Sequence, residues 1–275
     1  MKKSIIALAL ITAIMLSIVP CVAFGEGEIV VGSSISFGKY NDQPIIWRCI
    51  AVDDIGYLLL SEKVITLKCF DPAGTKLTDN YNTRAAKGSD YWPESSLRTW
   101  LNSDDDVVKY ASGHTPNASS VKDGINPYNN EAGFLNSKNF TKEQVKLMVE
   151  TDVASAVSHN EKDRATEGEY LHQYKSPISK AAANYDVAYK VKSTDRMFLP
   201  STAEIAAIAA DTTNFTDEFH LAKPTASAIF KSDALYDELA VNRPYYYWTR
   251  DALSFSTGEH VRVVAALSPT YNAEA

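Results

Sequence analysis

Cysteine is scarce in this chain, three in 275 residues, and only Cys49 and Cys69 lie beyond the apolar N-terminal region. No C-x-x-C pair occurs and no cysteine stands near a histidine at zinc-ligand spacing, which excludes thiol redox motifs and cysteine-based zinc sites. The five histidines, His114, His159, His172, His220 and His260, are scattered without an H-E-x-x-H or H-x-H pattern, so they read as surface or packing residues and no metal site is expected. With 12 glycines, the chain holds no phosphate-binding loop, dinucleotide fingerprint or G-x-S-x-G elbow. Basic residues are also in deficit, 27 against 34 acidic ones, which argues against nucleic acid as a partner.

Long hydrophobic runs are lacking too, with one exception at the start. Met1-Lys2-Lys3 is a short positive region, Ile5 to Val19 is almost wholly apolar, and Ala23-Phe24-Gly25 offers small residues for cleavage. A membrane-spanning helix needs about 20 apolar residues; this run is shorter and broken by Pro20. Residues 1–25 therefore read as a secretory signal peptide, 26–275 as a single domain, with no membrane span after signal cleavage and a secreted or cell-surface location. In an exported chain a disulfide between Cys49 and Cys69 is chemically allowed, its loop worth about 3 kcal/mol. Two buried free thiols are the equal alternative.

The mature chain opens β-rich. Ile29 to Val31, then Ile35 and Phe37, alternate with small or polar residues, and Ile45–Val52 and Tyr57–Ile65 form a hairpin pattern around Asp53-Asp54-Ile55-Gly56, where Gly56 is assigned the positive φ of a tight turn. Leu97, Trp100 and Leu101 share one helical face. Thr141 with Gln144, and Ser201 with Glu204, are capping boxes opening further helices. Ile178 to Tyr189 repeats at helical spacing behind Pro177, and Lys223-Pro224-Thr225-Ala226 starts another helix. Thr151–Gln173 reads as an exposed excursion. Residues 71–91 and 103–138 read as long polar loops. Strands at both ends with helices and loops between predict an α+β domain whose termini meet in one sheet.

The densest aromatic run is Tyr245-Tyr246-Tyr247-Trp248, closed by Arg250-Asp251. Strand alternation sends Tyr245 and Tyr247 to one face and Tyr246 and Trp248 to the other, so at least half the run faces core. Arg250 is expected in an ion pair with an acid such as Asp251 or Glu94. Tyr246, Trp248 and Arg250 are the candidate ligand-binding residues, because flat sugar faces stack on aromatic rings. Asp104-Asp105-Asp106 offers carboxylate oxygens that suit Ca²⁺, although the alternating spacing of a calcium loop is missing and a solvated charge run is the plainer reading.

Several segments together resemble the family of exported and surface proteins known as DUF6273. They are Phe37-Gly38-Lys39-Tyr40, Ile46-Trp47-Arg48, Leu59-Leu60-Ser61, Glu94 to Asn102, Phe140-Thr141, Phe198-Leu199-Pro200-Ser201, Lys223-Pro224-Thr225-Ala226 and Tyr247-Trp248-Thr249-Arg250. The resemblance implies a bacterial source and an irregular α+β fold with short antiparallel sheets, akin to the C-type-lectin-like fold of formylglycine-generating enzymes. It implies no activity, and the late catalytic cysteines of copper-dependent formylglycine-generating enzymes have no counterpart after Cys69. Such domains typically close with a Gly-Val-Arg-Pro-Ala-like strand that is not found before Ala275, which leaves a sheet edge to be covered by another segment or marks a truncated copy. The expected function is a binding module for a glycan or a cell-surface protein; the rival is a hydrolase or modifying enzyme with a carboxylate site assembled from distant residues.

Overall fold

A computed structural model describes residues 10–11, 15–18, 29–71, 88–111, 115–116, 128, 131–173, 178–233, 243–254, 260–264 and 271–274. The fold is mixed, with short, mainly antiparallel sheets, short helices and much irregular chain, as the α+β reading requires.

One sheet is built on a meander. β3 (Ser34–Tyr40), β4 (Gln43–Val52) and β5 (Tyr57–Ser61) pair antiparallel in sequence order. Asn41 and Asp42, at φ 47° and 60°, supply the two left-handed residues of the β3–β4 turn, a pairing that matches the right-handed twist of the strands. The β4–β5 turn works differently from expectation. Gly56 is not left-handed; instead Asp53 Oδ1 accepts the amides of Ile55 at 2.8 Å and Gly56 at 2.9 Å, so an Asx turn does the work assigned to glycine.

The second sheet gathers distant segments: β7 (Leu67–Lys68), β12 (Tyr247–Ala252), β13 (His260–Val264) and β14 (Tyr271–Glu274). The first strands of the mature region and the last thus lie in different sheets, which corrects the expectation of a shared one. What joins the segments is the apolar N-terminal run. β1 (Leu10–Ile11) sits between β12 and β7, and β2 (Met15–Ile18) between β5 and β10 (Met197–Phe198).

Thr151–Gln173 is not an excursion throughout. β8 (Thr151–Ala156) pairs antiparallel along its whole length with β9 (Lys190–Asp195), and their polar alternation hid both. β6 (Lys63–Val64) and β11 (Lys223–Pro224) form a two-residue parallel pair, so Lys223-Pro224 precedes the Ala226–Asp233 helix as strand rather than opening it. The other helices are Ser96–Leu101, Lys142–Leu147, Ile178–Ala182 and Thr202–Ala210. The third of these is shorter than its periodicity suggested, and Pro177 lies outside the described residues. Both predicted capping boxes are made: Gln144 N donates to Thr141 Oγ1 at 3.2 Å, and Glu204 N to Ser201 Oγ at 3.1 Å.

A single large core joins these layers. Trp47, Phe70, Trp92, Leu97, Trp100, Phe134, Phe140, Ile205 and Trp248 are all buried in it. Two large rings in contact hold more than their area burial, about 0.5–1.5 kcal/mol per pair, and here Trp100 touches Phe134 at 5.1 Å and Tyr40 at 6.3 Å between centroids.

Candidate functional site

Every residue of β12 is buried, so the strand has core on both faces and alternation does not free half of the aromatic run. Trp248 is 0% exposed, donates its indole N–H to the Lys68 carbonyl at 3.0 Å and meets the Phe70 ring edge-on at 5.7 Å. Tyr247 donates its hydroxyl to the His220 carbonyl at 2.7 Å. Tyr246 is half-buried and packs edge-on to Tyr245 at 5.4 Å. Of the three residues named as ligand contacts, it alone keeps appreciable accessible surface.

Arg250 is 4% exposed. Its partner is neither Asp251 nor Glu94 but Glu204, which accepts two parallel bonds at 2.7 and 2.8 Å. Two further N–H groups go to the carbonyls of Leu199 at 2.6 Å and Ala154 at 2.7 Å, so all three nitrogens of the guanidinium are bonded within the fold. Glu94 pairs with Arg164 instead. Asp251 accepts the amides of Ala156 at 2.9 Å and Thr202 at 2.6 Å, one at the end of β8 and one at the N-terminus of the Thr202–Ala210 helix. Burial raises the Glu204 carboxyl, but the Arg250 charge and its bonds outweigh that and hold it below the usual carboxylate range. Asp251 moves the other way: burial pushes it up, and Arg250 and the two amides offset this only in part. The Arg-Asp pair therefore fastens β12 to a helix start and to β8.

A cleft of about 280 Å³ opens elsewhere, where the start of β4 meets the β5–β6 corner and the start of the Ala226–Asp233 helix. Pro44, Ile45, Ile46 and Ile65 make its apolar wall, and Gln43, Glu62, Lys63 and Ser227 its polar rim. Two backbone bonds and one between side chains shape it. Glu62 N donates to the Ile46 carbonyl at 2.9 Å, Thr225 N to the Val64 carbonyl at 2.9 Å, and Asn41 Nδ2 to Ser227 Oγ at 2.6 Å. Glu62 is held by Arg48, whose Nε and Nη2 donate to it at 3.1 and 3.0 Å, and by the Ser34 hydroxyl. Arg48 also grips Asp217 with two 2.9 Å contacts and lies 4.7 Å over the Phe219 ring. Lys63 and Ile46 remain exposed at the mouth.

A model of the family described as "Domain of unknown function (DUF6273)" matches residues 56–273. The chain belongs to this family. No curated protein and no solved structure matches it. The family-like segments prove to be interlocking parts of one core. Gly38, at φ 71°, lies flat against Phe140, and a Cβ there would stand 2.0 Å from the ring. Trp47 donates its indole N–H to the Phe37 carbonyl at 2.7 Å, and Thr225 its hydroxyl to the Ile65 carbonyl at 3.1 Å. Arg98 of the Ser96–Leu101 helix binds the buried Asp195 at 2.7 Å.

Cys49 and Cys69 are both buried and free, so the disulfide that the sequence allows is not made. Burial pushes both thiols up, Cys69 to about 12. The Asp104–Asp106 run is tied to the chain near Asn136: Asn136 Nδ2 donates to the Asp104 backbone carbonyl and to the Asp106 carboxylate, and Gly133 N to the Asp105 backbone carbonyl. Among the described residues no cluster of three or more His, Cys, Asp or Glu has the arrangement of a cation site. Most of the two long polar loops, 71–91 and 103–138, lies outside the described residues. Sequence reasoning missed one buried polar centre. Lys68 is fully buried, ion-paired with Glu131, and its Nζ lies 4.6 Å over the Trp100 ring and 4.9 Å over Tyr128. Glu131 also accepts the Tyr40 hydroxyl. Nothing within a few residues of Lys68 announces this, because each partner arrives from another part of the chain.

Proposed function

We propose that this chain is an exported binding module that takes the end of a glycan or a short polar protein segment in the cleft between the β4 start and the Thr225–Ser227 corner. The observation that carries this reading is the form of that cleft: an apolar wall of isoleucine and proline beneath a rim of amide, carboxylate, ammonium and hydroxyl groups. A preformed concave site with a few fixed polar groups is the usual design for small ligands. Glu62 is held in place by Arg48 before any ligand arrives, so little ordering cost falls on binding. The N-terminal apolar run supports export. Of the candidate ligand contacts in the aromatic run, Trp248 and Arg250 are buried, and Tyr246 alone keeps accessible surface.

The experiment is a glycan array and a pull-down on cell-wall fragments with the full chain, followed by Ser227→Trp, which fills the cleft, and Lys63→Glu, which reverses its rim charge. Ser227→Trp should abolish binding, and Lys63→Glu should weaken it tenfold or more. Background-level binding on both panels, or binding indifferent to Ser227→Trp, sinks the proposal.

A further inference from the structure

The two sheets have gaps that the N-terminal run fills. β2 pairs antiparallel on both sides, with β5 through Met15↔Leu60, Leu16↔Leu59, Ser17↔Leu58 and Ile18↔Tyr57, and with β10 through Met15↔Phe198 and Leu16↔Met197. β1 bridges β12, through Ile11↔Tyr247, and β7, through Leu10↔Lys68 and Ile11↔Leu67. Among the described residues β7 and β10 have no other ladder partner. Without β1 and β2 the flanking strands stand two strand spacings apart, about 9.5 Å, too far to bond each other directly. The gap is also dry. Met15 is fully buried, and Leu59, Leu60, Met197 and Phe198 around it are 2% exposed or less. An empty slot here would strip the flanking strands of backbone partners and bare an apolar floor, both of which are costly.

We propose that β5–β10 and β7–β12 are strand-acceptor sites whose ligand is an extended apolar peptide, and that their occupants are this chain's own segments Met15–Ile18 and Leu10–Ile11. The segment that reads as an export address then has a second use as a strand donor, holding two sheets together by strand addition. Cutting the chain near Ala23–Gly25 does not by itself empty the slots, because the donor is held by its own ladder bonds and by the burial of Met15. This inference is independent of the cleft and stands or falls apart from it.

Two measurements on the full chain test it. With the native cysteines replaced by alanine, Leu16→Cys paired with Leu59→Cys places two Cα atoms directly opposite each other, within disulfide reach, whereas Leu16→Cys with Tyr57→Cys is two positions out of register. The first pair should oxidise to a disulfide in high yield and the second should not. Equal yields, or none in either, overturn the proposal. Second, a protease site is inserted after Gly25 and cut in the folded protein. The N-terminal fragment should co-elute with the remainder on gel filtration, be displaced by a synthetic peptide of residues 9–20, and be released by Met15→Asp; a fall of several degrees in melting temperature should accompany its loss. Release from the unsubstituted chain with no change in melting temperature overturns the proposal.

Discussion

Arg250 and Arg48 make the same kind of contact in two different settings. Each grips a glutamate with two nitrogens and lies near a phenylalanine ring, Phe198 at 5.5 Å for Arg250 and Phe219 at 4.7 Å for Arg48. Arg250 does so inside the core and gives two more donors to the carbonyls of Leu199 and Ala154. Arg48 does so nearer the surface, its side chain 16% exposed, and spends its remaining nitrogen on Asp217, whose side chain is about half exposed. A charge pair in water gains little because solvent competes for each partner, whereas breaking one in the core strands an ion without hydration. The buried arginine is therefore a fastener, and the partly exposed one, through Glu62, sets the edge of a site.

The widest separation between the two should come from alanine substitution. Arg250→Ala removes a buried guanidinium, leaves the carbonyls of Leu199 and Ala154 without a donor and the half-buried Glu204 without its cation, and should cost about 3 kcal/mol, enough to unfold a marginal domain, as read by urea titration. Arg48→Ala should cost about 1 kcal/mol or less while weakening ligand capture at the cleft; equal losses at the two arginines would erase the distinction. Acid should act on the buried pair in a definite direction. Glu204 ionises below its ordinary value in the folded protein, so its contribution is complete above the unfolded carboxylate pKa of about 4.3 and disappears as pH falls through the folded value. Asp251, raised by burial, opposes this, since its protonation in acid relieves a buried charge. Melting curves between neutral pH and pH 3 should show a steep acid loss that Glu204→Gln flattens and Asp251→Asn steepens. At the small end, Thr141→Ala removes an exposed capping box and should cost about 0.5–1 kcal/mol, with no effect at either arginine.

What could be read beforehand follows the range of the interaction. Ser201 and Glu204 sit three residues apart, so their capping box was legible, as was the buried face of Leu97, Trp100 and Leu101. That Glu204 also receives Arg250, 46 residues later, was not. The same limit hid β8 and β9, whose burial alternates through small and polar residues such as Ser155 and Ser193, and whose pairing spans a long intervening segment. The candidate site suffered most. Aromatic content pointed to Tyr246, Trp248 and Arg250, and large rings flag core and ligand surface alike. The cleft is built from Pro44, Ile65 and Ser227, residue types that carry no signature until distant turns bring them together.

Burial of the rings has an optical consequence. All four tryptophans of the chain, Trp47, Trp92, Trp100 and Trp248, are shut off from water, and none borders the cleft. Native emission should be blue-shifted and resistant to aqueous quenchers, moving to the red only as the core opens. Indole fluorescence is thus a clean gauge of folding for every variant named above except Ser227→Trp, which adds an indole to the cleft, and otherwise a silent one for ligand binding, which has to be followed by a label or by calorimetry.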